Sequence, residues 1–465
     1  LKESKNLQKH EKKILISFIG LFYISLSAQC WQSVSAGGSH SLGIRTGGTL
    51  WSWGRNYFGQ LGTAGTPATF SNIPIQVGTA TNWQTIAAGN AHNVAIKTNG
   101  TLWTWGHNQA SQLGDGSTTN SNIPIQIGTA TNWRFITAGD EYVIAIKLDG
   151  TLWAWGDNTY GQLGDNTTVN KIVPTQIGSD TDWLLVSAGT NHTLATKTNG
   201  TLWAWGRNNT GQLGDNTTLN KIIPTQIGAD SDWQNVMASI LHSAATKSDG
   251  SIWTWGNNTN GQLGDGTVVG KIIPVNITTV TNCNWIAKGH QHTIAKKSDG
   301  SLWAWGGNAS GQLGDASTTQ KNSPVAVSGL TTDWLTVNSK LSHTIALKND
   351  GTLYTWGANL YGQLGDASNI AKDIPTLITC PFLAIDEKVF ARKLSVYPNP
   401  VTSILNIQRD NLVFNKIIIT NLYGQIVFEN KENISLINIE NLASGLYFIQ
   451  AFSEEGSYQN KFIKN

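Results

Sequence analysis

The stretch GTLWAWGDNTYGQLGD, residues 150–165, sets two tryptophans two positions apart and spreads four glycines over sixteen residues. Copies of its LWxWG core begin at Leu50, Leu102, Leu152, Leu202, Ile252, Leu302 and Leu353, the last reading LYTWG. The spacings are 52, 50, 50, 50, 50 and 51 residues. A fixed period of this size marks supersecondary units that cannot bury their own faces and must stack on their neighbours.

Each unit carries four strand patterns, seen in the second copy as WQTIAAG (83–89), HNVAIKT (92–98), TLWTWG (101–106) and IPIQIG (123–128). Asn99-Gly100 joins the middle pair, and Asp149-Gly150, Asn199-Gly200, Asp249-Gly250, Asp299-Gly300 and Asp350-Gly351 stand at matching places. These dipeptides predict two-residue hairpin turns with both central residues at positive φ. Side chains alternate along a strand, so both indoles of LWxW share a face and one pair per unit fills the contact with a neighbouring sheet. Seven such units predict an all-β protein, a seven-bladed β-propeller followed by a small C-terminal β-sandwich. A linear β-solenoid has shorter rungs and needs caps, and the units from Trp31 onward carry none.

The motifs AGxxHxxA and LWxWGxNxxGQLGD, each followed by a proline, resemble those of the regulator of chromosome condensation repeat family, whose members form seven-bladed propellers. The resemblance runs from Trp31 to about Cys380.

GxxxxGQLGD is not a phosphate loop. Gln162 stands where a Walker loop needs Lys followed by Ser or Thr, and no helical pattern follows. A tight turn between third and fourth strands is the expectation. His40, His92, His192, His242, His292 and His343 recur at one place in the repeat, with Tyr142 in the third copy. Side chains around a seven-bladed ring stand too far apart to converge on zinc bonds of about 2.0–2.1 Å, so these are expected to be hydrogen-bonded structural histidines. No GxSxG or other nucleophile context appears, and no catalytic residue, metal or cofactor is expected. Asp180/Asp182 and Asp230/Asp232 read as turn formers.

Differences between the copies concentrate at two places: the pair before the repeated His, and the residues after WG. In an up-and-down sheet the first-to-second turn and the third-to-fourth loop open on the same face. A binding surface on a rigid scaffold has this property. Its candidate residues are Arg55, Tyr57, Phe58, His107, Asp140, Glu141, Tyr142, Asp157, Tyr160, Arg207, Ile240, Leu241, His290, Gln291 and Tyr361. Among them Asp140, Glu141, Tyr142, Asp157 and Tyr160 would form an acidic-aromatic sector beside Arg207.

Charged residues make up 13% of the chain and the net charge is +2, without a basic stripe, so a nucleic-acid partner is not expected. Lys9, Lys12 and Lys13 precede the apolar run ILISFIGLFYISLSA (14–28), the layout of a signal peptide over residues 1–28. That run is too short for a comfortable membrane span, and no stable span is expected. The chain begins at Leu1 and its one Met is Met237, so the start stays open. Three cysteines remain to be placed. Cys30 and Cys380 flank the repeat array, where an oxidised pair would staple the ring; Cys30 after LSAQ also fits a lipoprotein cysteine, although Gln29 suits that poorly. Cys283 falls in the longer loop TTVTNCNW.

The array is read as residues 29–380, a linker as 381–392, and a last domain as 393–465. In that domain Tyr397-Pro398-Asn399-Pro400, then NLYGQ with Gly424, then LASGLY with Gly445, and the terminal KFIKN resemble the C-terminal sorting domain of the type IX (Por) secretion system of Bacteroidota. The resemblance implies type IX secretion machinery as a partner and passage through periplasm and outer membrane, to release or to the cell surface. The functional expectation is an exported module that binds a protein or a surface glycan. The alternative is a secreted carbohydrate-active enzyme, lyase or hydrolase, using His107 with the Asp140–Glu141 sector. Guanine-nucleotide exchange, an activity of eukaryotic relatives, does not carry over to an exported chain.

Overall fold

A computed structural model describes residues 30–66, 69–329, 331–379, 394–408, 413–421, 426–453 and 456–465. The expected signal segment, Cys380, the linker and Gly424 lie outside the described residues. Seven four-stranded antiparallel sheets follow one another in chain order, each made of four consecutive strands. In the third blade these are Trp133–Ala138, Tyr142–Lys147, Leu152–Gly156 and Lys171–Ile177. First strands of successive blades lie side by side around a central channel, and the first strand of blade 1 lies beside that of blade 7. The ring therefore closes without exchanging a strand between its ends.

The tryptophans fill the space between blades, as alternation predicts. Trp155 is fully buried and donates its indole N–H to the Gln112 carbonyl of the preceding blade at 3.0 Å. Trp133 packs edge-on against both Trp153 and Trp155, with centroids 5.8 and 6.1 Å apart. Trp153 remains half-exposed and carries the Lys147 ammonium 3.6 Å from its ring.

The GQLGD loop is scaffold. Asn158 is fully buried at its centre: its side-chain oxygen accepts from the Leu163 amide at 3.0 Å, and its NH₂ donates to Asp165 at 2.8 Å and to the Thr167 carbonyl at 3.1 Å. Gly164 has φ of +82°, and a Cβ there would sit 2.8 Å from Trp205 Nε1 of the next blade. Glycine is needed for both reasons.

The hairpin turns differ from expectation. Only the glycine has positive φ, as at Gly100 (+76°) and Gly150 (+78°). Gly100 N–H donates to the Lys97 carbonyl and Lys97 N–H to the Thr101 carbonyl, so the loop has three residues and ends in a glycine bulge. The Asn or Asp is selected by its side chain instead: Asp149 Oδ1 accepts from the Thr151 amide at 3.0 Å and hydroxyl at 2.6 Å.

Cys283 also departs from expectation. It opens the innermost strand of blade 6, Cys283–Lys288, and pairs with Lys297 as Trp83 pairs with Lys97. It thus occupies a tryptophan position, buried, and Trp285 is displaced into the channel wall.

The second unit is a small sandwich. Ser395–Tyr397, Ile404–Gln408 and Leu436–Asn438 form a three-stranded sheet; Ile426–Asn430, Lys416–Thr420, Gly445–Ser453 and Gly456–Lys464 form a four-stranded one. Leu405, Ile417, Ile419, Ile449 and Phe462 are fully buried in its core. Asn399 acts as a clasp, donating to the Lys461 carbonyl at 3.1 Å and accepting from the Ile463 amide at 2.9 Å. Tyr397 is exposed, and Gly445 opens the longest strand pairing.

Candidate functional site

The two variable places of each repeat meet on one face. The residue after WG donates its amide to the carbonyl of the residue before the repeated His: Arg55 to Ser39, His107 to Ala91, Asp157 to Glu141 and Arg207 to Asn191.

At the junction of blades 7, 1 and 2 this face carries a guanidinium among aromatic rings. The Arg55 guanidinium lies 4.6 Å from the Tyr57 ring centroid, 5.1 Å from Tyr361 and 5.9 Å from Phe58. Tyr57 and Tyr361 meet edge-on at 6.3 Å, and Tyr57 is 54% exposed. Arg55 pairs with no carboxylate among the described residues, and its Nε has no hydrogen-bond partner. Phe58 covers the His107 ring at 4.4 Å. His107 is itself buried; its Nδ1 accepts from Gln112 at 2.8 Å and lies 3.8 Å from Glu141.

The acidic-aromatic sector forms only in part. Burial pushes the Glu141 carboxyl above its ordinary range, with Asp157 and Asp140 adding to the effect and His107 opposing it. Asp157 is held by Gln162 at 2.6 Å and by the Thr159 hydroxyl at 2.6 Å. Tyr160 receives the Arg207 guanidinium at 5.0 Å. Tyr142 leaves the set: it is 0% exposed, donating its hydroxyl to the His192 carbonyl at 2.6 Å. It occupies the structural place of the repeated His, which is why it cannot face a ligand. Ile240, His290 and Asp140 line the mouth of the central channel with Leu341, while Leu241 is half-buried and Gln291 exposed beside them.

Five of the six repeated histidines are buried, hydrogen-bonded links between blades. His192 Nε2 meets Ser243 Oγ at 2.9 Å, His242 meets Thr293 at 3.0 Å, His292 meets Ser339 at 2.9 Å, His40 meets Asn93 at 2.7 Å and His343 meets Ser41 at 3.2 Å. His92 departs from the expectation: it is equally buried, but neither ring nitrogen has a hydrogen-bond partner. Burial lowers the pKa of His192, His242, His292 and His343 to about 3 and that of His40 to about 4, so the rings are neutral. Asp180 and Asp182 do more than shape a turn: both hold Lys197, at 2.6 and 3.0 Å, on the opposite face.

Two lysines were not among the sequence candidates. Lys340 of blade 7 crosses the channel mouth to the Gly139 carbonyl at 2.8 Å and Asp140 at 3.5 Å; Lys288 of blade 6 reaches the Ala188 carbonyl. Below them the channel encloses about 270 Å³, lined by Ile86, Phe135, Met237, Trp285 and Asn338 among others.

A model of the RCC1-like domain matches residues 24–295, more than half of the chain. The chain belongs to the RCC1-like family. RCC1 repeats are matched again at 299–347 and 350–384, and a secretion system C-terminal sorting domain at 395–465. The RCC1-like propeller is similar to the solved structures of human WBSCR16 (21% identity, TM-score 0.65, 72% of this chain and 94% of that one). It is likewise similar to Prp20p of Saccharomyces cerevisiae (20%, TM-score 0.63, 76% and 88%). These likenesses concern the fold. Among characterised relatives, a Danio rerio RCC2 homolog is 41% identical over 87 residues, 18% of this chain and 17% of its own length. An ulvan lyase, NLR42, of Nonlabens ulvanivorans is 32% identical over 134 residues, 26% and 25%. The chain thus spans a quarter or less of these relatives' lengths. Propeller and sorting domain together make this an exported RCC1-like propeller, sent by the type IX system to the cell surface or outside. No helix among the described residues is long and apolar enough to cross a membrane.

Proposed function

We propose that the exported propeller is a binding module that grips a protein or a surface glycan through the variable face, with the Arg55 cluster at its centre. One observation carries this reading: a guanidinium with no carboxylate partner among the described residues, set among Tyr57, Phe58 and Tyr361 on an otherwise monotonous scaffold. Arginine and tyrosine are the residues that dominate binding hot spots, and an Arg fork left unpaired by its own chain is available to a partner's oxygens. The same rings offer apolar faces to a sugar. The test is capture of a ligand from cell-surface extract by the mature propeller, compared with Arg55→Ala and with Lys197→Ala on the opposite face. Capture lost with Arg55→Ala and kept with Lys197→Ala supports the reading; the reverse pattern sinks it.

A second reading, a glycan-cleaving enzyme, is favoured by the 134-residue stretch over which an ulvan lyase is 32% identical. His107 with Glu141 would supply its proton transfers. His107 lies buried behind Phe58, which weighs against contact with a substrate. Cleavage of anionic polysaccharides by the wild type, abolished in a His107→Ala/Glu141→Ala double variant, would establish the enzyme.

A further inference from the structure

The innermost strands of blades 1 to 5 end in alanine and then a small residue: Ala36-Gly37, Ala88-Gly89, Ala138-Gly139, Ala188-Gly189 and Ala238-Ser239. Blade 6 has Lys288-Gly289 instead, and blade 7 has Ser339-Lys340. Two long cationic side chains therefore replace a methyl group and a hydrogen in the narrowest part of the ring.

Their surroundings are not equivalent. Lys340 is buried and has Asp140 as its counter-charge, 3.5 Å away. Lys288 has only the neutral Ala188 carbonyl and no carboxylate at ion-pair distance among the described residues. Thr190, two residues beyond Ala188, lines the same mouth and holds a buried hydroxyl oxygen without a hydrogen-bond partner. An ammonium withdrawn from water without a counter-charge is costly, and so is an unsatisfied buried hydroxyl. One acceptor group carrying negative charge would answer both.

We propose that the channel mouth is a binding site for a single carboxylate group, free or borne on a uronic-acid sugar, held by the Lys288 ammonium and the Thr190 hydroxyl. The group enters from the variable face, and the ammonium turns to it from the Ala188 carbonyl. The space between Ile240, His290 and Leu341 is small, about 10 Å³, room for one carboxylate oxygen with the rest of the group outside in the open mouth.

The titratable neighbours set the pH dependence. Burial, then the charge of Lys340, bring the Lys288 ammonium down to about 7, while Asp140 opposes them. His192 lies close enough to feel Lys288, and His290 feels Asp140; both imidazoles are pushed down by burial and stay neutral at this pH. Near neutrality Lys288 is thus only part-charged, and an arriving carboxylate draws a proton onto it. Raising the pH through 7 removes the charge, so affinity falls as pH rises.

The experiment is isothermal titration of the full chain with sodium acetate near pH 7, in two buffers of different ionisation enthalpy, with sodium chloride as the matched control. Acetate binding with net proton uptake is expected. Lys288→Ala should abolish both without lowering the melting temperature, because alanine is the native residue at this place in five blades. Thr190→Val should weaken binding about ten-fold. Glucuronate binding tighter than acetate shows that the group arrives on a sugar; equal binding shows a site for the carboxylate alone. Absence of acetate binding, or binding that survives Lys288→Ala, overturns the proposal. Only the glucuronate arm rests on the glycan reading of the face, so the two readings fail separately.

Discussion

Trp53 in the first blade donates its indole N–H to the Gln363 carbonyl of the seventh, at 2.9 Å, across 310 residues of chain. The same bond joins every neighbouring pair of blades, as Trp205 does to Gln162 at 2.9 Å. Ser41 adds a second bond to Gln363 at 2.8 Å. The last junction is thus built like the six internal ones, though no polypeptide crosses it by exchanging a strand.

Trp53→Phe keeps an apolar ring and removes one donor, leaving the Gln363 carbonyl to Ser41. The loss should be about 2–4 kcal/mol, the hydrogen bond plus the cavity left by the smaller ring, and Trp205→Phe should cost the same. Urea unfolding of both variants checks it; a much larger loss at Trp53 would mean that the closing junction is uniquely fragile.

Cys30, beside that junction, is disulfide-bonded, whereas Cys283 is free and buried, its thiol pushed up to about 11 by burial. Peptide mapping should find Cys30 joined to Cys380 and Cys283 alkylated only after denaturation. Cys30→Ser should lower stability by about 3–5 kcal/mol, the range for a disulfide closing a long loop. Thermal melts with and without reductant measure it.

The inter-blade histidines predict acid lability. Their folded pKa values, about 3 to 4, lie below the ordinary imidazole value of 6.5. The unfolded chain therefore binds more protons than the folded one below pH 6.5, and stability falls as pH drops through that value. Each histidine contributes about 1.4 kcal/mol per pH unit until its folded pKa is reached. Replacing His192 by Asn should flatten the slope of stability against pH between about 6 and 4.5 by that amount. An unchanged slope would show that His192 is not neutral in the fold.

Gly164→Ala places a Cβ 2.8 Å from Trp205 Nε1 at a φ of +82°. A loss of about 1–3 kcal/mol is expected from strain alone. Gly178→Ala, also at positive φ but with open space around it, should cost less.

Period, blade number and inter-blade indoles were legible because each rests on a pattern repeated seven times. The sorting domain was legible differently, from single motifs running in order from Tyr397-Pro398-Asn399-Pro400 to KFIKN, and Asn399 clasps the last strand, tying the first motif to the last. The hairpin type was not, because Asp149-Gly150 fits two turns that only backbone angles separate. Cys283 was misplaced since Trp285 looks like the repeat tryptophan, and only pairing with Lys297 shows otherwise. Tyr142 was read as surface because it differs from its counterparts, yet its hydroxyl replaces an imidazole nitrogen at a buried link. Lys288 and Lys340 stand in a column of alanine and glycine, where the same comparison of copies would have found them.

The central claim is that the variable face holds the partner. Its most direct measurement is the affinity of the secreted propeller for the ligand it captures, in wild type, Arg55→Ala/Tyr361→Ala and Lys197→Ala forms of equal thermal stability. The account predicts at least a roughly hundred-fold loss for the double variant, as for removal of hot-spot residues, and no change for Lys197→Ala. Full affinity in the double variant, or loss confined to Lys197→Ala, would contradict it.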